Sequence, residues 1–126
     1  MNPIRVLIVD DEGELAFTLA ERLGLRGFEA EGVTSGEAAL ERVRDAGFDA
    51  VVLDVKMPGL GGIGVIRQMK SLRPAMPVIM ITGHGSRESA EEGMQVGAYR
   101  YLMKPVQIDS LVKIIREAVL STDAQS

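Results

Sequence analysis

Ile4-Arg5-Val6-Leu7-Ile8-Val9 runs directly into Asp10-Asp11, and Ala50-Val51-Val52-Leu53 runs directly into Asp54. A strand with one wet face alternates apolar and polar residues. Near-continuous apolar runs of this length instead suit strands of a parallel sheet covered on both faces. Two such strands, each ending in carboxylate, bring three acids toward one edge of the sheet. In open α/β sheets, ligands bind outside the carboxyl ends of the strands. Acids held that close repel one another, and a bound divalent cation or a lysine relieves the repulsion. A third β-like run, Tyr99-Arg100-Tyr101-Leu102-Met103, ends at Lys104, a candidate for that lysine.

Outward from these runs, strand-like and helix-period segments alternate five times. The apolar pattern predicts strands at residues 4–9, 28–33, 50–53, 77–81 and 99–103. Between them, Leu15, Leu19 and Leu23 recur every four residues, beside Ala16 and Ala20. Ser35 is placed to cap a helix carrying Ala38, Ala39, Leu40 and Val43. Ile63, Ile66 and Met69 mark a third helix, with Gly61, Gly62 and Gly64 a weak start. A fourth, near residues 86–96, is poorly amphipathic, with Ala90 and Met94 its inward candidates. The last helix puts Ile108, Leu111, Val112, Ile115 and Val119 on one stripe. Ile114 falls off that stripe and is expected to be exposed for a partner. This alternation predicts one α/β domain, a doubly wound five-stranded parallel sheet. The domain is expected over residues 1–121, with 122–126 a polar C-terminal tail that frays.

The composition removes several classes of function. The 126 residues suffice for one domain with a real core. A net charge of -4 gives no basic footprint, so direct nucleic-acid binding is not expected. The absence of cysteine excludes disulfides, thiolate zinc sites and cysteine nucleophiles. There is no signal-peptide pattern, and no apolar run approaches the ~20 residues that span a bilayer. The expectation is a soluble, cytoplasmic protein without a membrane partner.

Four segments together resemble the receiver domain of two-component response regulators, over nearly the whole chain. They are Val9-Asp10-Asp11-Glu12, Asp54-Val55-Lys56-Met57-Pro58-Gly59, Ile81-Thr82-Gly83, and the run from Gly97 to Lys104-Pro105. Each is weak alone; their order at the ends of alternate elements makes the set specific. The resemblance implies the flavodoxin-like (βα)5 fold with strand order 2-1-3-4-5, and a cis peptide before Pro105. It implies that Asp54 accepts a phosphoryl group in a Mg²⁺-dependent reaction. Asp10, Asp11, Asp54 and the Lys56 backbone carbonyl would hold the metal. Thr82 and Lys104 would contact the phosphoryl group, and Thr82 with Tyr101 would form the switch. The implied partners are a histidine kinase or phosphotransfer protein, a downstream effector, and a second copy in a phosphorylation-dependent homodimer. Signalling would pass through the fourth helix, fifth strand and fifth helix. The chain is then a stand-alone regulator or one piece of a larger one, and a switch rather than an enzyme.

The chemistry is coherent on its own terms. A carboxylate can attack a phosphoryl group to give an acyl phosphate. Catalysis of that transfer is mostly positioning and charge neutralisation. The product adds about -1.5 to -2 charge, enough to bias a two-state element. Plainer readings stand beside these. An acid pair after a strand also suits a helix start. Tyr101 suits half-buried sheet surface, and His84 suits a solvated loop. The Lys56 side chain either points to solvent or reaches over the acyl phosphate and shields it from water, with His84 a secondary influence. A flavin carrier would meet repulsion from Asp10-Asp11-Glu12. A phosphatase of the haloacid-dehalogenase type would have a second aspartate where Lys56 stands. A receiver that binds partners without phosphorylation would normally have lost these acids.

Overall fold

The computed structural model describes residues 2–56, 61–83 and 87–125, with side chains through Ser121. Met57-Pro58-Gly59, His84 and Ser86 lie outside the described residues, so the readings made of them are not addressed by it.

Five strands alternate with five helices: β1 (Arg5–Val9), α1 (Gly13–Gly24), β2 (Glu29–Val33), α2 (Gly36–Asp45), β3 (Ala50–Asp54), α3 (Gly61–Leu72), β4 (Val78–Thr82), α4 (Arg87–Gln95), β5 (Arg100–Met103) and α5 (Ile108–Gln125). The strands form one sheet in the order β2-β1-β3-β4-β5, every pair parallel. β1 and β3 pair with Val9 opposite Leu53, so Asp10 and Asp54 leave the sheet side by side. β3 pairs with β4 through Asp54 and Ile81, and β4 with β5 through Thr82 and Met103.

Because alternate residues face opposite sides of a strand, the sheet has two cores. Val6, Ile8, Val52, Ile79 and Ile81 pack under α1 and α5. Leu7, Val9, Val51, Leu53, Val78 and Met80 pack under α2 and α3. Covering both faces buries every residue of β3 and β4. The edge strand β5 keeps Arg100, Tyr101 and Met103 exposed.

Local signals hold where the chain alone decides them. The Ser35 side chain accepts a hydrogen bond from the Ala38 amide and caps α2. Other expectations change. Ile114 is buried, because the seam that α5 sets against the sheet is Leu111, Ile114, Ile115 and Ala118. These are spaced i, i+3, i+4 and i+7, rotated slightly from the expected stripe. In α4 the inward pair is Ala90 and Gly93, which turns Met94 outward at 39% exposure. α5 runs through Gln125, and no glycine or proline interrupts it.

Candidate functional site

The chain leaves the carboxyl ends of β1 and β3 through two similar turns. Asp10 Oδ1 accepts a hydrogen bond from the Glu12 amide at 2.9 Å, and Asp54 Oδ1 accepts one from the Lys56 amide at 3.0 Å. Aspartate favours such turns because its short carboxylate reaches the backbone two residues on. Each side chain is thus held by its own loop and turned inward; Asp10 is 1% and Asp54 4% exposed. Lys104 reaches in from the end of β5, anchored by its amide on the Thr82 carbonyl at 2.8 Å. Its Nζ donates to Asp54 Oδ2 at 3.1 Å and lies 3.7 Å from Asp10 Oδ2. The Lys104–Pro105 peptide is cis. Asp11 is exposed beside this pair, and one carboxylate oxygen from each of Asp10, Asp11 and Asp54 fits within 4.8 Å of the others.

This arrangement is electrostatically incomplete. Burial holds the Asp10 carboxyl above its ordinary pKa; the Glu12 amide opposes the shift and the Asp54 charge adds to it. Asp10 Oδ2 is buried with no hydrogen-bond partner among the described residues. Burial pulls Lys104 down, but its bond to Asp54 and the charges of Asp54 and Asp10 leave its pKa above the ordinary lysine value. One ammonium therefore faces three carboxylates. Hard divalent cations take several oxygen ligands in such a cradle. The residues present fit one: three carboxylate oxygens converge, and Asp10 Oδ2 is buried beside them without a hydrogen bond among the described residues.

Thr82 ends β4, buried at 2% exposure, on the strand beside Asp54. Tyr101 lies on β5, 41% exposed, opposite Met80. The Lys56 side chain is exposed and makes no ion pair among the described residues. Sequence reasoning missed the Glu12 and Lys56 amides; an aspartate two residues before each was the available signal. It also undervalued Gly62. A Cβ there would run into the Val55 backbone, so only glycine lets α3 begin against the loop that follows Asp54, where its amide bonds the Val55 carbonyl at 3.1 Å. An open groove of about 610 Å³, lined by Leu15, Leu19, Arg22, Gly83, Lys104 and Pro105, leads from α1 to the lysine. No helix among the described residues is long and apolar enough to cross a membrane.

Known proteins share this arrangement of elements and sequence. The model of the response regulator receiver domain matches residues 6–116. Transcriptional regulatory protein ZraR of Escherichia coli is 37% identical over 119 residues, covering 94% of this chain and 27% of that protein. Sensory transduction protein RegX3 of Mycobacterium tuberculosis is 43% identical over 111 residues, covering 88% and 48%. The chain thus spans about a quarter to a half of the length of these relatives. The crystal structure of a CheY-like response regulator receiver domain protein from Methanospirillum hungatei superposes with a TM-score of 0.94 at 29% identity, covering 99% of this chain and all of that one.

Proposed function

Because the chain belongs to the receiver-domain family of two-component response regulators, we propose that it takes a phosphoryl group from a histidine kinase or phosphotransfer protein onto Asp54. The observation that carries this reading is the junction at Asp54. One oxygen is fixed by the Lys56 amide, the other meets Lys104, and the Asp10 and Asp11 carboxylates converge beside it.

In this reading an Asp54 oxygen attacks phosphorus as the bond from phosphorus to the donor imidazole nitrogen breaks, and the imidazole leaves. The loop amides hold Asp10 and Asp54 in their positions, so little reorganisation accompanies transfer. Lys104 follows the growing negative charge as a mobile point cation. The Thr82 hydroxyl donates to a phosphoryl oxygen, drawing its loop inward and making room for Tyr101. Asp10, Asp11, Asp54 and the Lys56 carbonyl would hold a divalent cation, Mg²⁺ in this reading, whose chemistry is to neutralise charge on the phosphoryl oxygens. The added charge shifts the surface of α4, β5 and α5 toward a downstream effector. The chain acts as a switch, because the phosphoryl group ends on its own side chain.

Treatment with acetyl phosphate and Mg²⁺, followed by trapping and mass spectrometry, is expected to locate one adduct on Asp54. Full labelling of Asp54→Asn would overturn the assignment. Decay after donor removal tests Lys56: Lys56→Asn is expected to lose phosphate several-fold faster, and equal or slower decay removes Lys56 from the mechanism.

A further inference from the structure

α4 is the helix with the least to hold it. Of its nine residues, the buried ones are Ala90 and Gly93, so its inward seam carries nothing larger than a methyl group. α3 buries Val65, Ile66 and Met69, and α1 buries Ala16, Leu19 and Leu23. What lies beneath the α4 seam is the end of Met80. A Cβ at Gly93 would overlap the Met80 Sδ, and would fall 2.8 Å from its Cε and 3.4 Å from Ile63 Cδ1. Met80 is completely buried, in the cluster that holds Leu53, Val65, Ile66 and Met69. Sδ and Cε are the far end of a flexible side chain, so what limits their swinging aside is the complete burial of Met80 in that cluster.

Met80 also has a particular place along β4. Thr82 is two residues on, so the two side chains leave the same face of the strand. The contact under α4 therefore sits one pleat below the hydroxyl at the carboxyl end of the sheet.

From this geometry we infer that Met80 under Gly93 is the stop that sets the height of α4 above the sheet. α4 sits low because residue 93 has no side chain, and a shift at the end of β4 reaches α4 through the thioether. The bearing of this stop on signalling rests on the function proposed above; the stop itself does not.

The test reads hydrogen exchange of α4 amides in the full chain, with α1 and α5 as internal references, for wild type, Gly93→Ala, Met80→Ala and the double variant. An alanine replacing glycine in an unobstructed helix interior slows exchange roughly fivefold, because it favours the helix. The stop requires the opposite sign. In Gly93→Ala, α4 exchange is expected to quicken by about tenfold or more, the usual scale of overpacking, while α1 and α5 hold. In the double variant the obstruction is gone, and α4 exchange is expected to be no faster than in Met80→Ala alone. Slowed or unchanged exchange in Gly93→Ala would overturn the proposal, as would a double variant whose α4 exchanges faster than that of Met80→Ala. If Gly93→Ala does not fold, the double variant decides: folding alongside Met80→Ala supports the stop, and failure beside a folded Met80→Ala overturns it. Acetyl phosphate with Mg²⁺ forms a separate arm. A wild-type α4 that does not respond to it counts against the proposed function, while the comparison of variants still judges the stop.

Discussion

β3 and β5 are separated in the sheet only by β4, yet they are built on opposite terms. All five residues of β3 are buried, between cores on both faces. β5 leaves Arg100, Tyr101 and Met103 in solvent, and α4, which packs on the neighbouring strand β4, buries only an alanine and a glycine. Each strand contributes one member of the closest ion pair at the site, Asp54 from β3 and Lys104 from the end of β5. Asp54 thus stands on a fully buried strand, and the cation arrives from the exposed edge strand of the sheet. Stability is not uniform across a fold, and segments that move are drawn from its weakly anchored end. Fixed charge on one wall and a lightly held surface on the other is the division of labour a switch needs.

The contrast breaks most visibly in the cores. Leu53→Ala is expected to cost about 2–5 kcal/mol, as large-to-small changes in a closed core do. Met103→Ala, half exposed on β5, is expected to stay within about 0.5 kcal/mol. Denaturant melts of the two variants decide it, and comparable losses would erase the distinction between the strands.

Next in size is the tie between the walls. Lys104→Met leaves the buried Asp10 and Asp54 carboxylates facing one another without a cation. A loss of about 1–3 kcal/mol is expected in chelator. Saturating Mg²⁺ should recover part of it, since a ligand that binds only the folded state stabilises that state. Melts with and without Mg²⁺ measure both, and a variant as stable as wild type in chelator would show that the lysine does not hold the acids.

Asp10 sharpens the picture with the opposite sign. Its folded pKa lies above the ordinary 3.8, raised chiefly by burial. Between those two values the folded state binds more protons than the unfolded state, so stability falls as pH rises through that window. Above the window the penalty is constant. Asp10→Asn is therefore expected to be more stable than wild type by up to ~1 kcal/mol in chelator at pH 7. The gap should close as pH drops toward 3.8. A destabilised Asp10→Asn at neutral pH would contradict this account.

The smallest effect belongs to the far edge of the sheet. Glu31 on β2 pairs with Arg42 on α2, and that hydrogen bond holds the Glu31 carboxyl below its ordinary range. A depressed pKa contributes stability above the unfolded value of 4.5 that is lost as pH falls. Both side chains are more than a third exposed, so solvent screening limits the contribution. Glu31→Gln is expected to lose about 0.5 kcal/mol or less at neutral pH, less at high salt, and nothing once wild-type Glu31 is itself protonated. A thermal melt series over pH and salt checks it.

The sequence by itself determined what repeats locally. The alternation of apolar runs with helical spacing specifies the elements, and near-continuous runs specify a sheet covered on both faces. Ser35 announces its cap, and acids directly after apolar runs announce which sheet edge carries charge. These depend on neighbours within a few residues, so they can be read in order along the chain. Tertiary structure decided what depends on distant neighbours. Lys104 meets Asp54 across fifty positions, and because β1 and β3 are neighbours in the sheet Asp10 lies buried beside Asp54, its Oδ2 without a hydrogen bond among the described residues. Gly62 reads as a weak start to a helix, yet a Cβ there would run into the Val55 backbone, while a Cβ at Gly93 would overlap the end of the Met80 side chain. Ile114 turns inward and Met94 outward because a helix's rotation is set by the surface it packs on. Local pattern chooses the pieces, whereas close packing between pieces fixes rotations, distances and unpaired charges, and those quantities are what the chemistry at this site uses.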